Sequence, residues 1–147
     1  MSGESATGSA NLGLGLLRQC EEGIKAIEAA ADVESVVAAM RAHTGSAGVQ
    51  EAACRALIML TYNDAENRTR AGTAGAVEAV AAAMRAHAGS AGVQEAACTA
   101  LMQLTFKGAE NVTRAGTAGV GEAVAAAMRA HAGSADVQNA ACMLCLA

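Results

Sequence analysis

The stretch Met84-Arg-Ala-His-Ala-Gly-Ser-Ala-Gly-Val-Gln-Glu-Ala-Ala-Cys98 recurs, nearly word for word, once before itself and once after. The copies align without gaps at a constant step of 44 residues, from Met40 to Met84 to Met128. The same step relates His43, His87 and His131, and again Cys54, Cys98 and Cys142. A fixed period of this size is the signature of a helical solenoid, in which each unit buries its apolar face against its neighbours. In a chain of 147 residues that leaves room for about three units.

Within the clearest unit the spacing predicts three helices. A short first helix runs from about Ala65 to Thr73, after Asn63 and Asp64, either of which can accept from the orphan N–H groups of a helix start. A second runs from about Ala76 to His87, with Val77, Val80, Ala81 and Met84 at i, i+3, i+4 and i+7 on one face. Gly75 breaks the chain before it, and Gly89 follows His87 where a left-handed residue is expected to close the helix. A third runs from about Ala91 to Phe106, with Ser90 as its N-cap and Val93, Ala97, Ala100, Leu101 and Leu104 on one side. No alternating apolar and polar run of strand length occurs and Pro is absent, so the fold is expected to be all-α.

Residues 1–10 are mostly Gly, Ser and Ala with one Glu, a composition that cannot order itself, and they are expected to form a disordered tail. Residues 11–147 are expected to be one repeat domain: a degenerate capping helix and partial repeat over 11–32, then repeats beginning near 33, 77 and 121. Asn11 to Arg18 falls in register with Arg55 to Tyr62, although Gly13 and Gly15 would each cost about 1 kcal/mol relative to Ala in a helix interior. The last repeat is expected to be truncated, since Met143 to Ala147 lies inside a third helix, and the chain is expected to be a fragment of a longer array.

Hydrophobic residues make up 53% of the chain, yet Ala dominates them and only one Tyr and one Phe are present. Small side chains let helix axes approach closely, with Val, Leu and Met filling the grooves between them. Each Ala buries little area, so at about 25 cal/mol per Å² each unit is weakly stabilised on its own. A net charge of −4 without any Lys/Arg run argues against nucleic acid or an anionic membrane as the ligand. The apolar run from Leu12 to Leu17 is short, Gly-broken and lacks a basic leader, so neither a signal peptide nor a membrane helix is expected. The expected location is cytoplasmic, with the nucleus as the alternative.

The repeated His and Cys invite a metal or Cys-His reading, but their spacing rejects it. Each pair is separated by a helix-loop-helix turn rather than the two to five residues of clustered zinc ligands, and a catalytic site is normally built once. The His are expected to sit at helix C-termini and the Cys, including Cys142, to be small buried core residues in a reducing compartment. Glu34, Glu78 and Glu122 recur at the start of the second helices, where a carboxylate interacts well with the helix dipole, and Arg41, Arg85 and Arg129 at their ends are expected to be solvated. Gly121 stands where Val77 stands one repeat earlier; losing a buried Val in a helix should cost on the order of 2 kcal/mol. No cofactor and no metal is expected.

Glu66-Asn67, the step Ala71-Gly-Thr-Ala-Gly-Ala-Val-Glu-Ala-Val80, and Val93-Gln-Glu-Ala-Ala-Cys-Thr-Ala-Leu-Met-Gln-Leu-Thr105 together resemble the armadillo repeat family. The likeness covers roughly Asn11 to Ala147. HEAT-type repeats are the nearest structural alternative, but the Gly75 and Gly119 steps and the short first helix fit armadillo better. The resemblance implies an all-α, right-handed armadillo-type α-α superhelix whose third helices line a concave face that binds extended peptides or partner helices. By that analogy the groove candidates are Glu51, Arg55, Met59 and Asn63, then Glu95, Thr99, Gln103 and Lys107, then Asn139 and Met143. Importin alpha proteins carry a ladder of Trp and Asn on these helices. Here Arg55, Thr99 and Met143 hold the Trp position and Met59 and Gln103 the Asn position, which argues against a basic nuclear-import peptide.

The expected function is therefore a non-catalytic protein–protein interaction module, with Arg55, Gln103 and Lys107 giving polar contacts and Met59 and Met143 an adaptable apolar floor. Two alternatives stand beside it: a structural element that self-associates through its C-terminal end, and a truncated regulatory arm of a larger signalling protein.

Overall fold

The computed structural model of the chain describes residues 21–146. The expected tail over 1–10, the expected capping helix within 11–18 and Cys20 lie outside the described residues. A helix over 21–29, α1, is followed by α2 (Val33–Ala42), α3 (Ala47–Thr61), α4 (Ala65–Ala74), α5 (Ala76–Ala86), α6 (Ala91–Thr105), α7 (Ala109–Thr117), α8 (Val120–Ala130) and α9 (Ala135–Leu146). No strand occurs among the described residues.

Local chemistry sets these boundaries. Ser46, Ser90 and Ser134 each accept at Oγ from the N–H of the Val three residues on, Val49, Val93 and Val137, at 3.3 Å. Asp32 and Asp64 do the same for Ser35 and Asn67 at 2.8 and 2.9 Å. Gly75 (φ 93°) and Gly119 (φ 75°) turn left-handed between first and second helices, a conformation that excludes most side chains.

The second helices end differently from expectation. Gly89 is not left-handed; the residues with positive φ among those described are Gly75, Gly119, Asn63 and Lys107. His87 itself caps α5, its N–H donating to Ala83, and the following turn closes through Ser90 N–H to the His87 carbonyl at 3.0 Å. A buried amide adds to this: Gln94 Nε2 donates to the Met84 and His87 carbonyls, both at 3.0 Å. Gln50 serves Met40 and His43, and Gln138 serves Met128 and His131, in the same way. With these acceptors satisfied, no left-handed glycine is needed.

The third helices α3, α6 and α9 stack side by side as one layer, and α2, α5 and α8 form a second, with α4 and α7 bridging from unit to unit. Val36, Met40, Val49 and Leu57 from the first unit, Val77, Val80, Met84, Val93, Leu101 and Leu104 from the next, and Val120, Val124 and Val137 from the last make one continuous core. Ala71, Ala76, Ala81, Ala97 and Ala100 are fully buried, so the helices meet over small side chains as the composition implies.

Two expectations about that core are overturned in the last unit. Cys142 is exposed, unlike Cys54 and Cys98, because no described helix covers the outer side of α9. Gly121 is exposed as well, and a Cβ added there meets nothing within 4 Å, so the missing Val removes no core contact. Val120, one position earlier, is buried.

The joints between units run from side chain to backbone. His87 Nε2 lies 2.8 Å from the Thr44 carbonyl and His131 Nε2 2.8 Å from the Ala88 carbonyl, so that ring nitrogen carries the proton and donates. Arg41 donates to the Ala74 carbonyl at 3.2 Å, and Arg85 to that of Ala118, each lying over the left-handed Gly of the next unit. These arginines are exposed but engaged, rather than merely solvated as expected. Asn111 donates to Leu104 at 2.7 Å and, across the joint, to Arg68 at 3.0 Å.

Candidate partner-binding site

The layer α3–α6–α9 carries the groove candidates. On α3, Glu51 is half-buried and pairs with exposed Arg55 at 2.7 Å, one turn on. That hydrogen bond and the carboxylate charge raise the Arg55 pKa above its ordinary value, with a smaller contribution from Glu95 on the neighbouring helix. Glu51 also lies against Gly92, where a Cβ would come within 2.8 Å of its carboxylate, so the absent side chain in α6 makes room for it. On α6, Glu95, Thr99 and Gln103 are half-buried, and the Thr99 hydroxyl donates to its own helix at the Glu95 carbonyl, 3.0 Å away. On α9, Asn139 and Met143 are exposed.

The last position of each row leaves the helix. Asn63 and Lys107 follow the ends of α3 and α6, and both have φ near +51°, so the fourfold spacing that placed them on a helix face stops at Met59 and Gln103. The loop, not the helix, sets where Lys107 points: its ammonium stands 5.4 Å from the centre of the Phe106 ring.

The apolar candidates do not share one floor. Met59, 79% exposed, lines a cavity of about 420 Å³ with Arg55, Ala52, Leu60 and Ile24 of α1. Met143, 55% exposed, and Gln103 line a separate one of about 480 Å³ with Tyr62, Asn63, Arg68, Met102 and Phe106. This second cavity gathers residues from α4, α6 and α9 and from the loops that follow α3 and α6.

Tyr62, Arg68, Met102 and Phe106 are not foreseen in the sequence reading. A signal for two of them was present: the only Tyr and the only Phe of the chain occupy the same repeat position, 62 and 106. Both are exposed, against the usual preference of large aromatics for the interior. Arg68 stands 5.4 Å from the Phe106 ring centre, so one aromatic ring has two cations beside it.

The model of the LRRK2 ARM repeat family matches residues 16–147. The chain belongs to the LRRK2 ARM repeat family. No curated protein and no solved structure gives a match. Membership, with helices alone among the described residues, establishes an all-α armadillo-type repeat solenoid and sets the HEAT alternative aside. An armadillo repeat family points to a protein-interaction scaffold role, and no helix among the described residues is long and apolar enough to cross a membrane.

The two buried thiols of this ARM repeat chain, Cys54 and Cys98, are the reverse of nucleophilic. Burial, with smaller contributions from Cys98 and Glu51, pushes the Cys54 thiol up to about 12. Burial, then the neighbouring Cys145, pushes Cys98 up to about 11. A reactive thiol needs its pKa lowered and some access to solvent.

Proposed function

We propose that the chain is a non-catalytic interaction module that binds a protein segment, an extended peptide or a helix, along the surface of α3, α6 and α9. One observation supports this most: residues from three helices and two loops leave a partly apolar cavity of about 480 Å³ open at one end of that layer. That size lies within the range of ligand sites, roughly 300–1,000 Å³, and exposed Met side chains repack around varied apolar partners. Glu51, Arg55, Met59, Glu95, Thr99, Asn139 and Lys107 would give the polar and adaptable contacts along the rest of the groove. We place the chain in the cytoplasm, with the nucleus as the alternative.

Partner capture compares wild type with Arg55→Glu plus Gln103→Ala. The proposal expects the bound set to change; an unchanged set would sink the groove assignment.

A second reading, self-association through α9, draws on the exposed Cys142, Met143 and Cys145 of that helix. Sedimentation over a concentration range separates the two, since a stable monomer counts against assembly.

A further inference from the structure

Arg68 and Phe106 line the 480 Å³ cavity, Lys107 stands over the same Phe106 ring, and the charges there do not balance. Arg68, from α4, and Lys107, from the loop after α6, both stand 5.4 Å from the centre of the Phe106 ring. Arg68 donates to the Thr61 carbonyl at 3.4 Å, at the C-terminal end of α3, and Lys107 follows the end of α6. Among the described residues neither forms an ion pair with a carboxylate; the pairs present are Arg55 with Glu51, Arg70 with Glu34 and Arg114 with Glu110. A helix C-terminus contributes roughly half a negative charge. Two such ends therefore offset about one of the two cations, leaving roughly one positive charge at the rim of an apolar cavity. A chain of net charge −4 that keeps two cations on one exposed ring sets them against its own overall charge.

The floor beneath that charge is largely apolar: Met102 and Met143 with the faces of Tyr62 and Phe106, and Asn63 and Gln103 as its two amides. We infer that this cavity, at the end of the proposed groove, takes an apolar side chain of a peptide that carries an Asp or Glu beside it, the carboxylate lying at the Phe106 rim, where Arg68 and Lys107 supply the positive charge. The occupant is a segment of a protein partner whose local charge is acidic, which is the opposite of an import-type basic peptide. This inference rests on the reading of α3, α6 and α9 as a binding layer and assigns one end of that layer its chemistry.

The test is a titration by fluorescence anisotropy with the whole chain. The probe is a short labelled peptide in which Glu flanks Leu, amidated at its C-terminus so that every carboxylate is a side chain. Companion peptides carry Gln or Lys in place of each Glu. The Glu peptide should bind most tightly and the Lys peptide at least about ten-fold more weakly, the order set by charge complementarity. Arg68→Gln and Lys107→Gln should each weaken the Glu peptide by roughly two- to five-fold, the range of an exposed charge pair, and leave the Gln peptide unchanged. Lys107 is exposed and makes no hydrogen bond that holds the fold, so its variant keeps the test interpretable if Arg68→Gln perturbs packing.

Equal binding of Glu and Gln peptides, indifferent to both cation variants, would overturn the inference. If such charge-blind binding were still weakened by Arg55→Glu, the groove reading would stand without it. Failure of the Glu peptide to bind at all would overturn the inference too, and the partner-capture experiment would then decide the groove reading on its own.

Discussion

The middle unit (α4, α5, α6) and the last (α7, α8, α9) are written in nearly the same residues and are buried very differently. In the middle unit Val77, Met84, Cys98 and Leu101 are sealed; at the corresponding positions of the last, Gly121, Cys142 and Cys145 are exposed and Met128 is half-buried. Gln94 is 1% exposed, whereas Gln138, with the same two acceptors, is half-buried. Asp64 caps α4 with its side chain, but the equivalent Gly108 has none to offer α7. The contrast teaches that a residue's energetic weight in this fold is set by the unit beyond it, not by its own repeat.

Removing the buried amide breaks that contrast hardest. Gln94→Ala orphans the buried Met84 carbonyl and takes one of two donors from that of His87; it should cost up to about 3 kcal/mol, read as a lower urea midpoint, while Gln138→Ala should cost about 1 kcal/mol. Equal shifts would mean that burial does not distinguish the units.

A glycine pair comes next. A Cβ on Gly72 would lie 1.8 Å from Asn111 Oδ1, whereas one on Gly116, the same repeat position, meets nothing within 4 Å. Gly72→Ala should therefore destabilise by about 2 kcal/mol through overpacking, and Gly116→Ala should stabilise by up to about 1 kcal/mol through helix propensity. Thermal melts of the two variants should move in opposite directions.

The thiols sharpen the comparison through pH. The unfolded chain loses its thiol protons near pH 8.5. The folded chain holds those of Cys54 and Cys98 up to about 12 and about 11. Stability present at neutral pH should thus decline as pH rises above about 9, because the unfolded state then binds fewer protons than the folded one. Cys54→Ala should flatten that decline and Cys142→Ala should not. In a Cys20→Ser background, Cys142 and Cys145 should be alkylated before Cys54 and Cys98; uniform labelling would contradict the burial difference.

The smallest effect concerns an ion pair present in only one joint. Arg70 holds Glu34 through two bonds, at 3.0 and 2.8 Å, whereas Arg114 turns to Asn111 at 3.0 Å and stands 4.0 Å from Glu110. Glu34→Gln should lower the melting temperature slightly at low salt and not at high salt, and Glu78→Gln should do neither.

What could be read from the residues alone follows the same division. Helix limits agree with the spacing to within about a residue because Ser90, Asp64, Gly75 and Gly119 act on backbone groups next to them. The exposure of Cys142 and Gly121 could not be read that way, since a 44-residue period assigns equal environments to equal letters. The Phe106 cavity escaped for a related reason. Its walls come from three helices and two loops, and the cations over its Phe106 ring are carried by a left-handed loop residue and a bridging helix rather than by any face with a helical repeat. Gln94 looked like part of a third-helix motif, and only its reach to Met84 and His87 reveals that it closes the helix before.

The His and Arg joints carry one further consequence. Each engages a peptide carbonyl of the adjoining unit, at Thr44, Ala88, Ala74 and Ala118, so the receiving residue's side chain is free to change without loosening the bond. At these four contacts a unit supplies its own donors and asks its neighbour for main chain, so matched substitutions are needed only elsewhere in the joint, as at Arg70 with Glu34 and Asn111 with Gly72. That tolerance suits a gene lengthened by copying one word of 44 residues, and it makes the middle unit a natural module for building longer arrays.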